Sequence, residues 1–251
     1  MPHPGTPVGR VHALYRYPVK STSGQPLVTA AVTPSGLEHD RRWAVYTHDG
    51  GIASGKRTRR FRPVPGLLDW AAELDGPDGV PVLRSPAGVP YRVDDPAASE
   101  ALTARFGQQL TLREGTAVQH HDESPLHLVT TSSLAALADL LGGAVEERRF
   151  RPNIVLDTGS APLFLERDWA GVELAIGDHV VIAVDAGMPR CTMIDQPQAG
   201  MDAGPRALRT LAVHNRLEFG VQARVERSGA MSVGDPVTLR HTVLTHHGGE
   251  S

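Results

Sequence analysis

The single cysteine of this 251-residue chain, Cys191, directly follows an arginine in the stretch Met188-Pro189-Arg190-Cys191-Thr192-Met193-Ile194-Asp195. A thiolate, not a thiol, is the nucleophile and the soft-metal ligand, and a neighbouring guanidinium favours the thiolate. Cys191 is therefore a candidate for chemistry, against the plainer reading of a lone cysteine as a small buried hydrophobe. Other stretches suit an anion. Lys20-Ser21-Thr22-Ser23-Gly24 offers an ammonium, hydroxyls and the free N–H groups of a glycine turn, against the plainer reading, favoured on this stretch alone, of a solvated turn lysine. In Asp40-Arg41-Arg42-Trp43 two arginines open a strand, and alternation sends them to opposite faces, one toward a ligand and one toward water. Thr130-Thr131-Ser132-Ser133 crowds hydroxyls at a helix start, which is capping chemistry first and phosphate chemistry second. Arg151 and Asn153, at alternate positions of a strand, share a face and need a polar partner there.

The elements that must position these residues are short. Val11 to Val19 reads as a strand ending in the Lys20 turn, and Leu174 to Val184 as two strand pieces around a Gly-Asp turn, with Gly187 and Pro189 breaking the second before Arg190. Asp95 caps a helix with Pro96 at its first position and Gly107 at its end. A second helix follows Thr130 to Ser133, and Pro205 begins a short third one to Leu211. With 26 glycines, 20 prolines and only 5% aromatics, turns are frequent and the core must be Val, Leu, Ile and Ala. The fold class predicted is β-rich with a few helices. Residues 1–9 are expected to be disordered and 241–251 a loose tail. The polar stretch from Glu114 to Pro125 marks a boundary between domains at 10–115 and 116–240.

Composition excludes several classes. One cysteine rules out an internal disulfide and any four-cysteine iron–sulfur or zinc site, and suits a reducing, cytoplasmic setting. A formal net charge of −3 gives no global pull toward nucleic acid or an anionic membrane. No apolar run approaches the roughly 20 residues of a membrane helix, and the first nine residues lack the apolar core of a signal peptide. The adjacent His120 and His121 read as loop residues, since nothing supplies further ligands at helical or strand spacing. Lys56-Arg57-Thr58-Arg59-Arg60-Phe61-Arg62, the densest basic run, reads as a solvated face that can also attract an anionic ligand or an acidic partner.

Taken in order, Tyr17-Pro18-Val19-Lys20-Ser21, Asp40-Arg41-Arg42-Trp43, Ser124 to Leu134, Phe150-Arg151-Pro152-Asn153-Ile154-Val155, Asp168-Trp169-Ala170-Gly171, Arg190-Cys191 and Val233-Gly234-Asp235-Pro236-Val237 make the chain resemble MOSC-domain proteins with an amino-terminal MOSC β-barrel. That group includes the mitochondrial amidoxime reducing component and the carboxy-terminal part of molybdenum cofactor sulfurase. The resemblance implies a β-barrel MOSC domain plus a smaller amino-terminal β-barrel-like domain, with a molybdenum–molybdopterin cofactor held between them. It makes Cys191 the metal ligand. Lys20, Ser21 and Arg41 would bind the pterin and its phosphate from the first domain, Thr130, Ser132, Ser133, Arg151 and Asn153 from the second, with Arg190 beside the thiolate. Thr131 and the short segment from Thr192 to Ala199 depart from the amidoxime-reducing pattern.

The implied activity is an oxidoreductase that reduces N-hydroxylated or N-oxide compounds, a small-molecule substrate, with electrons from a separate donor protein or reductase. Cys191 and Asp195 are the catalytic candidates, with Asp195 and His127 as possible proton donors. The alternative is a molybdenum cofactor carrier or persulfide-transfer protein without reductase turnover. Neither a fused iron–sulfur domain nor the pyridoxal phosphate site of full-length sulfurases is expected.

Overall fold

Apolar residues at every second position of seven strands fill the larger of two barrels. In the computed structural model, which describes residues 5–74, 76, 78–115, 120–204 and 206–240, these strands are Thr6–Arg16, Leu126–Thr130, Ile154–Asp157, Glu173–Ile176, Val180–Pro189, Glu218–Arg227 and Pro236–Arg240. The sheet closes because Thr6–Arg16 pairs with Pro236–Arg240 on one side and Ile154–Asp157 on the other. Val11, Leu14, Leu126, Leu128, Ile154, Leu156, Ile182 and Val221 point inward. The intervening Val129 and Val155 point outward and, with Phe219, which lies before Gly220 at φ 72°, pack with Phe150 and Ile194 beneath two helices. In chain order these are the second and third helices, α2 (Thr131–Leu141) and α3 (Ala207–His214).

The smaller domain has a four-stranded sheet, in the order Leu110–Glu114, Trp43–Thr47, Ile52–Ser54, Phe61–Pro63, and a three-stranded one from Ala71–Leu74, Pro81–Arg84 and Pro90–Arg92. Their shared core holds Val45, Leu67, Trp70, Leu83 and Leu110 with Ala98 and Leu102 of α1 (Pro96–Phe106). That helix is punctuated as its sequence predicts. Asp95 accepts a hydrogen bond from the Ala97 N–H, Pro96 opens the helix, and Gly107 closes it at φ 63°, a left-handed conformation that costs glycine nothing. The strand-rich class with few helices stands.

Several boundaries differ from expectation. The strand beginning at Thr6 corrects the expected disorder over 1–9 from that residue on, because pairing with Pro236–Arg240 holds Thr6, Pro7 and Gly9 in place, with a register shift between Pro7 and Gly9. Residues 10–16, grouped by position with the amino-terminal domain, lie in the larger barrel instead. The Arg190 strand does not stop at Gly187 but runs to Pro189, absorbing Gly187 and Pro189 through irregular pairing with Glu218–Arg227. The expected helix start at Pro205 and the tail over 241–251 lie outside the described residues, and α3 begins at Ala207. Among the described residues no helix is long and apolar enough to cross a membrane.

Candidate functional site

A turn stitched at both ends presents the first cation. Val19 bridges to Trp43 and Ser23 to Ala71, so the Lys20-Ser21-Thr22 turn hangs from both sheets of the smaller domain, with Ser21 in the left-handed region at φ 63°. The Lys20 ammonium is buried and meets the Asp122 carboxylate at 2.8 Å, which Lys56 also approaches at 3.5 Å. Arg41 is placed differently from the expected strand alternation. The strand starts at Trp43, and Arg41 occupies the preceding turn at φ 51°. Its backbone is tied by the Arg41 N–H to the Tyr17 carbonyl at 2.8 Å. His120 donates from Nδ1 to the Arg41 carbonyl at 2.9 Å and accepts from the Tyr46 hydroxyl at 2.9 Å. The two arginines still part, with Arg41 mostly buried against Asp40 and Arg42 exposed beside Glu114.

The larger barrel supplies the opposite wall. Arg151 does not sit on a strand as the sequence suggests. It closes a 3-10 turn (Glu147–Phe150) in the left-handed region at φ 57°, and the strand begins only at Ile154. The Arg151 guanidinium stands 4.2 Å from the Tyr17 ring centre and that of Arg41 4.9 Å from the same ring, with Arg151 also donating to the Thr22 carbonyl. Asn153 is almost fully buried and works as a clamp. It accepts from the His127 N–H at 3.2 Å and from Arg41 at 3.4 Å, and donates to the Tyr15 carbonyl at 3.3 Å. Arg190 leaves the long strand with its N–H on the Leu217 carbonyl at 2.7 Å and its Nη2 on the Phe150 carbonyl at 2.9 Å. Cys191 follows, half-buried and free, just before the 3-10 turn Thr192–Asp195. That turn is held by Arg149, whose guanidinium donates to the carbonyls of Ile194, Gln196 and Asp202 at 2.8 to 3.3 Å.

These walls enclose a cleft of about 170 Å³ between the two barrels, lined among others by Lys20, Ser21, Arg41, Arg151, Asn153, Arg190 and Cys191. These seven and His127 are residues that the sequence singles out, whereas Lys56, Asp122 and Arg149, which also line the cleft, are not assigned to a site by it. Only the basic run and the polar boundary stretch hinted at the first two. No local pattern marks Arg149. Six cationic side chains line the cleft against Asp122 and Glu123, in a chain whose overall charge is −3. Their charges are held at a cost. Burial pulls Arg151 down to about 10, with Arg41 adding repulsion, and burial pulls Arg190 to about 10, opposed by Cys191. Burial also lowers Lys20 to about 8 while Asp122 works to keep it charged. It follows that Lys20 carries its charge at pH 7 and sheds it as pH rises through about 8. Calorimetric titration with inorganic phosphate is expected to show affinity falling above that pH, with Lys20→Arg extending binding to higher pH. A profile flat to pH 10 in wild type would remove Lys20 from the anion site.

Four expected site residues do not line the cleft. Thr130, Ser132 and Ser133 are buried at the start of α2, where Thr130 and Ser133 donate to Glu166 Oε2 at 2.9 and 2.6 Å and Ser132 bonds Thr130 at 3.1 Å. The polar partner at this helix start is the protein's own Glu166 carboxyl group, which turns these hydroxyls away from the cleft and not toward a phosphate in it. Asp195 is turned to α3, where it accepts from the Leu208 N–H at 3.3 Å. His127 does line the cleft, but burial and then Arg190 push it well below its ordinary value, and its Nε2–H is given to the Phe219 carbonyl at 3.1 Å. It is a wall residue of the cleft whose charged form burial disfavours.

Burial raises the Glu166 carboxyl above its ordinary 4.5, and its Oε1 has no hydrogen-bond partner among the described residues. A raised acid pKa gives stability that is complete below about 4.5 and lost as pH rises through the folded value. Glu166→Gln is therefore expected to lose less stability than wild type between two pH values, one near 4.5 and one well above it. Urea unfolding at the two pH values checks this, and an unchanged slope would count against a buried protonated carboxyl.

The cleft also tests what group it suits. Buried Arg190 Nε lacks a hydrogen-bond partner among the described residues, and the excess of cations calls for an anion. Among the described residues no group of three or more His, Cys, Asp or Glu could hold a metal ion. A metal at Cys191 would therefore have to arrive with other donor atoms of its own, as the metal of an anionic organic cofactor does. The residues fit such a group.

Comparison with known proteins bears on the same regions. The chain is 28% identical to "Mitochondrial amidoxime reducing component 2" of Homo sapiens, across 92% of this chain and 83% of that protein. It is 25% identical to "Molybdenum cofactor sulfurase" of Drosophila grimshawi, across 89% of this chain but 34% of that protein. In fold it is similar to the YUAD protein from Bacillus subtilis, with a TM-score of 0.50 at 12% identity, covering 92% of this chain and 94% of that one. Residues 8–124 match the MOSC N-terminal beta barrel domain and residues 115–238 the MOSC domain, so the chain belongs to the MOSC-domain family in its two-domain form.

Proposed function

We propose that this protein is a molybdenum-cofactor-dependent oxidoreductase that reduces N-hydroxylated or N-oxide compounds with electrons from a separate donor. The observation that carries the reading is the placement of the one thiol, half-buried, on the wall of an inter-barrel cleft where cations outnumber carboxylates. Similarity to amidoxime reducing components supports the choice of reaction. When bound, the cofactor supplies a metal centre able to take an oxygen atom from the substrate and pass two electrons to it. Cys191 would ligate the metal as thiolate, stabilised by Arg190. Lys20, Ser21, Arg41 and Arg151 would hold the phosphate and pterin by charge-assisted hydrogen bonds. Asn153 and His120 orient Arg41, and Arg149 orients the Cys191 turn. Because the thiol must stay free, the reaction belongs in a reducing compartment.

The test is to purify the protein anaerobically from a cofactor-competent host, measure molybdenum and pterin per chain, and assay benzamidoxime reduction with reduced methyl viologen. Near-stoichiometric metal with turnover is expected. Full loading without turnover would favour the cofactor-carrier or sulfur-transfer reading, and no loading of a folded protein would remove the enzyme reading.

A further inference from the structure

The one carboxylate that touches the lysines of the cleft stands where a ligand anion would. Asp122 Oδ1 lies 2.8 Å from Lys20 Nζ and 3.5 Å from Lys56 Nζ, and among the described residues no second carboxylate reaches either ammonium. Positive charge is dense around it. Lys20, Lys56 and Arg60 place their charged groups 4.8, 5.0 and 5.3 Å from the centre of one ring, Phe61. A buried ammonium beside two other cations is costly without a counter-charge, so the empty cleft needs an anion at this corner. Asp122 is that anion. Against its own burial, Lys20 and Lys56 hold its carboxyl well below the ordinary carboxylate range.

The two partners of this ion pair differ in their freedom to move. The Lys20 side chain is 4% exposed and that of Asp122 35%, so the ammonium is enclosed while the carboxylate has open water on one side. The main chain leading to Asp122 is pinned, because His120 bonds the Arg41 carbonyl at 2.9 Å and the His121 carbonyl accepts from Arg60 at 2.9 Å. Nothing comparable holds the carboxylate itself. Its one hydrogen bond among the described residues is the bond from Lys20, so rotation of the side chain alone frees both lysines.

We propose that Asp122 is an internal stand-in for the cofactor's phosphate: it neutralises Lys20 and Lys56 in the empty protein and turns out to water when a phosphate group takes its place. This rests on the reading of the cleft as a cofactor site, and it adds a residue that opposes binding to those that favour it. A phosphate suits the two ammonium groups better than a carboxylate does, since it carries up to two charges and offers more acceptor oxygens, whereas Asp122 reaches both with a single oxygen. A carboxylate left in place would meet the phosphate as a like charge. The exchange gives the unloaded cleft a charge-satisfied form and lowers its affinity for free anions.

The test compares wild type, Asp122→Asn and Glu123→Gln, the last removing an exposed carboxylate that also lines the cleft but pairs with neither lysine among the described residues. The empty proteins are titrated calorimetrically with inorganic phosphate at about pH 6, well below the Lys20 value of about 8. Asp122→Asn is expected to bind about tenfold more tightly than wild type, and Glu123→Gln within about twofold of it. In phosphate-free buffer Asp122→Asn should melt below wild type, and the gap should shrink as phosphate is added. Dialysis of the loaded proteins should remove pterin more slowly from Asp122→Asn than from wild type. Asp122→Ser removes the same charge and serves if the amide variant does not fold. Equal or weaker phosphate binding by Asp122→Asn would show that Asp122 stays to orient Lys20, and an equal gain in Glu123→Gln would reduce the effect to general charge; either overturns the exchange and leaves the phosphate site standing. Tighter phosphate binding without slower loss of pterin would put a free phosphate at this corner and also overturn it. No phosphate binding by any of the proteins would instead remove Lys20 from the cofactor site.

Discussion

Cys191→Ser is expected to lose molybdenum while keeping most of its pterin. A serine hydroxyl is nearly the same size as the thiol but is neither soft nor ionised at neutral pH, so the metal loses its protein ligand. The anion-binding residues are untouched: Lys20, Arg41, Arg151 and Arg190 still face the cleft. Folding should be unaffected, since Cys191 is half-buried and makes no disulfide. Activity with methyl viologen should fall by more than about a hundredfold, beyond the range of changes that act only through an outer shell of residues. Metal analysis and fluorescence of the oxidised pterin, on the same sample, separate the two halves of the site. Molybdenum kept at the wild-type ratio would show that Cys191 is not the ligand.

Arg151→Ala should act the other way round, weakening retention of the whole cofactor. Truncating one partner of a buried, hydrogen-bonded charge pair typically costs about 2 to 5 kcal/mol, which corresponds to roughly 30- to 5,000-fold in affinity. The empty protein should not be destabilised by a comparable amount. Arg151 and Arg41 stand over one ring, Tyr17, and each charge disfavours the other. Removing Arg151 relieves that repulsion as it forfeits the bond to the Thr22 carbonyl. Arg151→Lys should fall between the two, keeping a charge but losing the flat stacking group. Pterin per chain after dialysis, with thermal melting of the empty proteins, makes the comparison. Retention unchanged in Arg151→Ala would mean that Arg151 faces no ligand.

Much of this site was legible because its chemistry is carried by residue type. A lone cysteine after an arginine, a lysine in a hydroxyl-rich turn and an arginine near an asparagine announce their needs locally. The geometry behind them was less legible. Arg41 and Arg151 reach the cleft from left-handed turns and not from strands, and alternation cannot foresee a positive φ at an arginine. The hydroxyl cluster from Thr130 to Ser133 shows why a helix start is ambiguous. It looks the same whether its partner is a phosphate or Glu166, which arrives from more than 30 residues downstream. Asp195 lies near Cys191 in sequence, yet the turn between them directs it to α3. Asp122, Lys56 and Arg149 become site residues only when the two barrels meet, an event that no local pattern encodes.

The pairing of Thr6–Arg16 with both Ile154–Asp157 and Pro236–Arg240 has a consequence for biosynthesis. Closure of the larger barrel joins segments more than 220 residues apart, so it is a late, high-contact-order event. The smaller domain, whose strands lie between Trp43 and Glu114, can assemble while the ribosome is still adding the second half. The Lys20 turn follows directly on the waiting first strand, and its final position depends on that strand's partners. Loading of the cleft is therefore a step that follows synthesis of Pro236–Arg240, and a nascent chain lacking them should hold the thiol without being able to retain a cofactor.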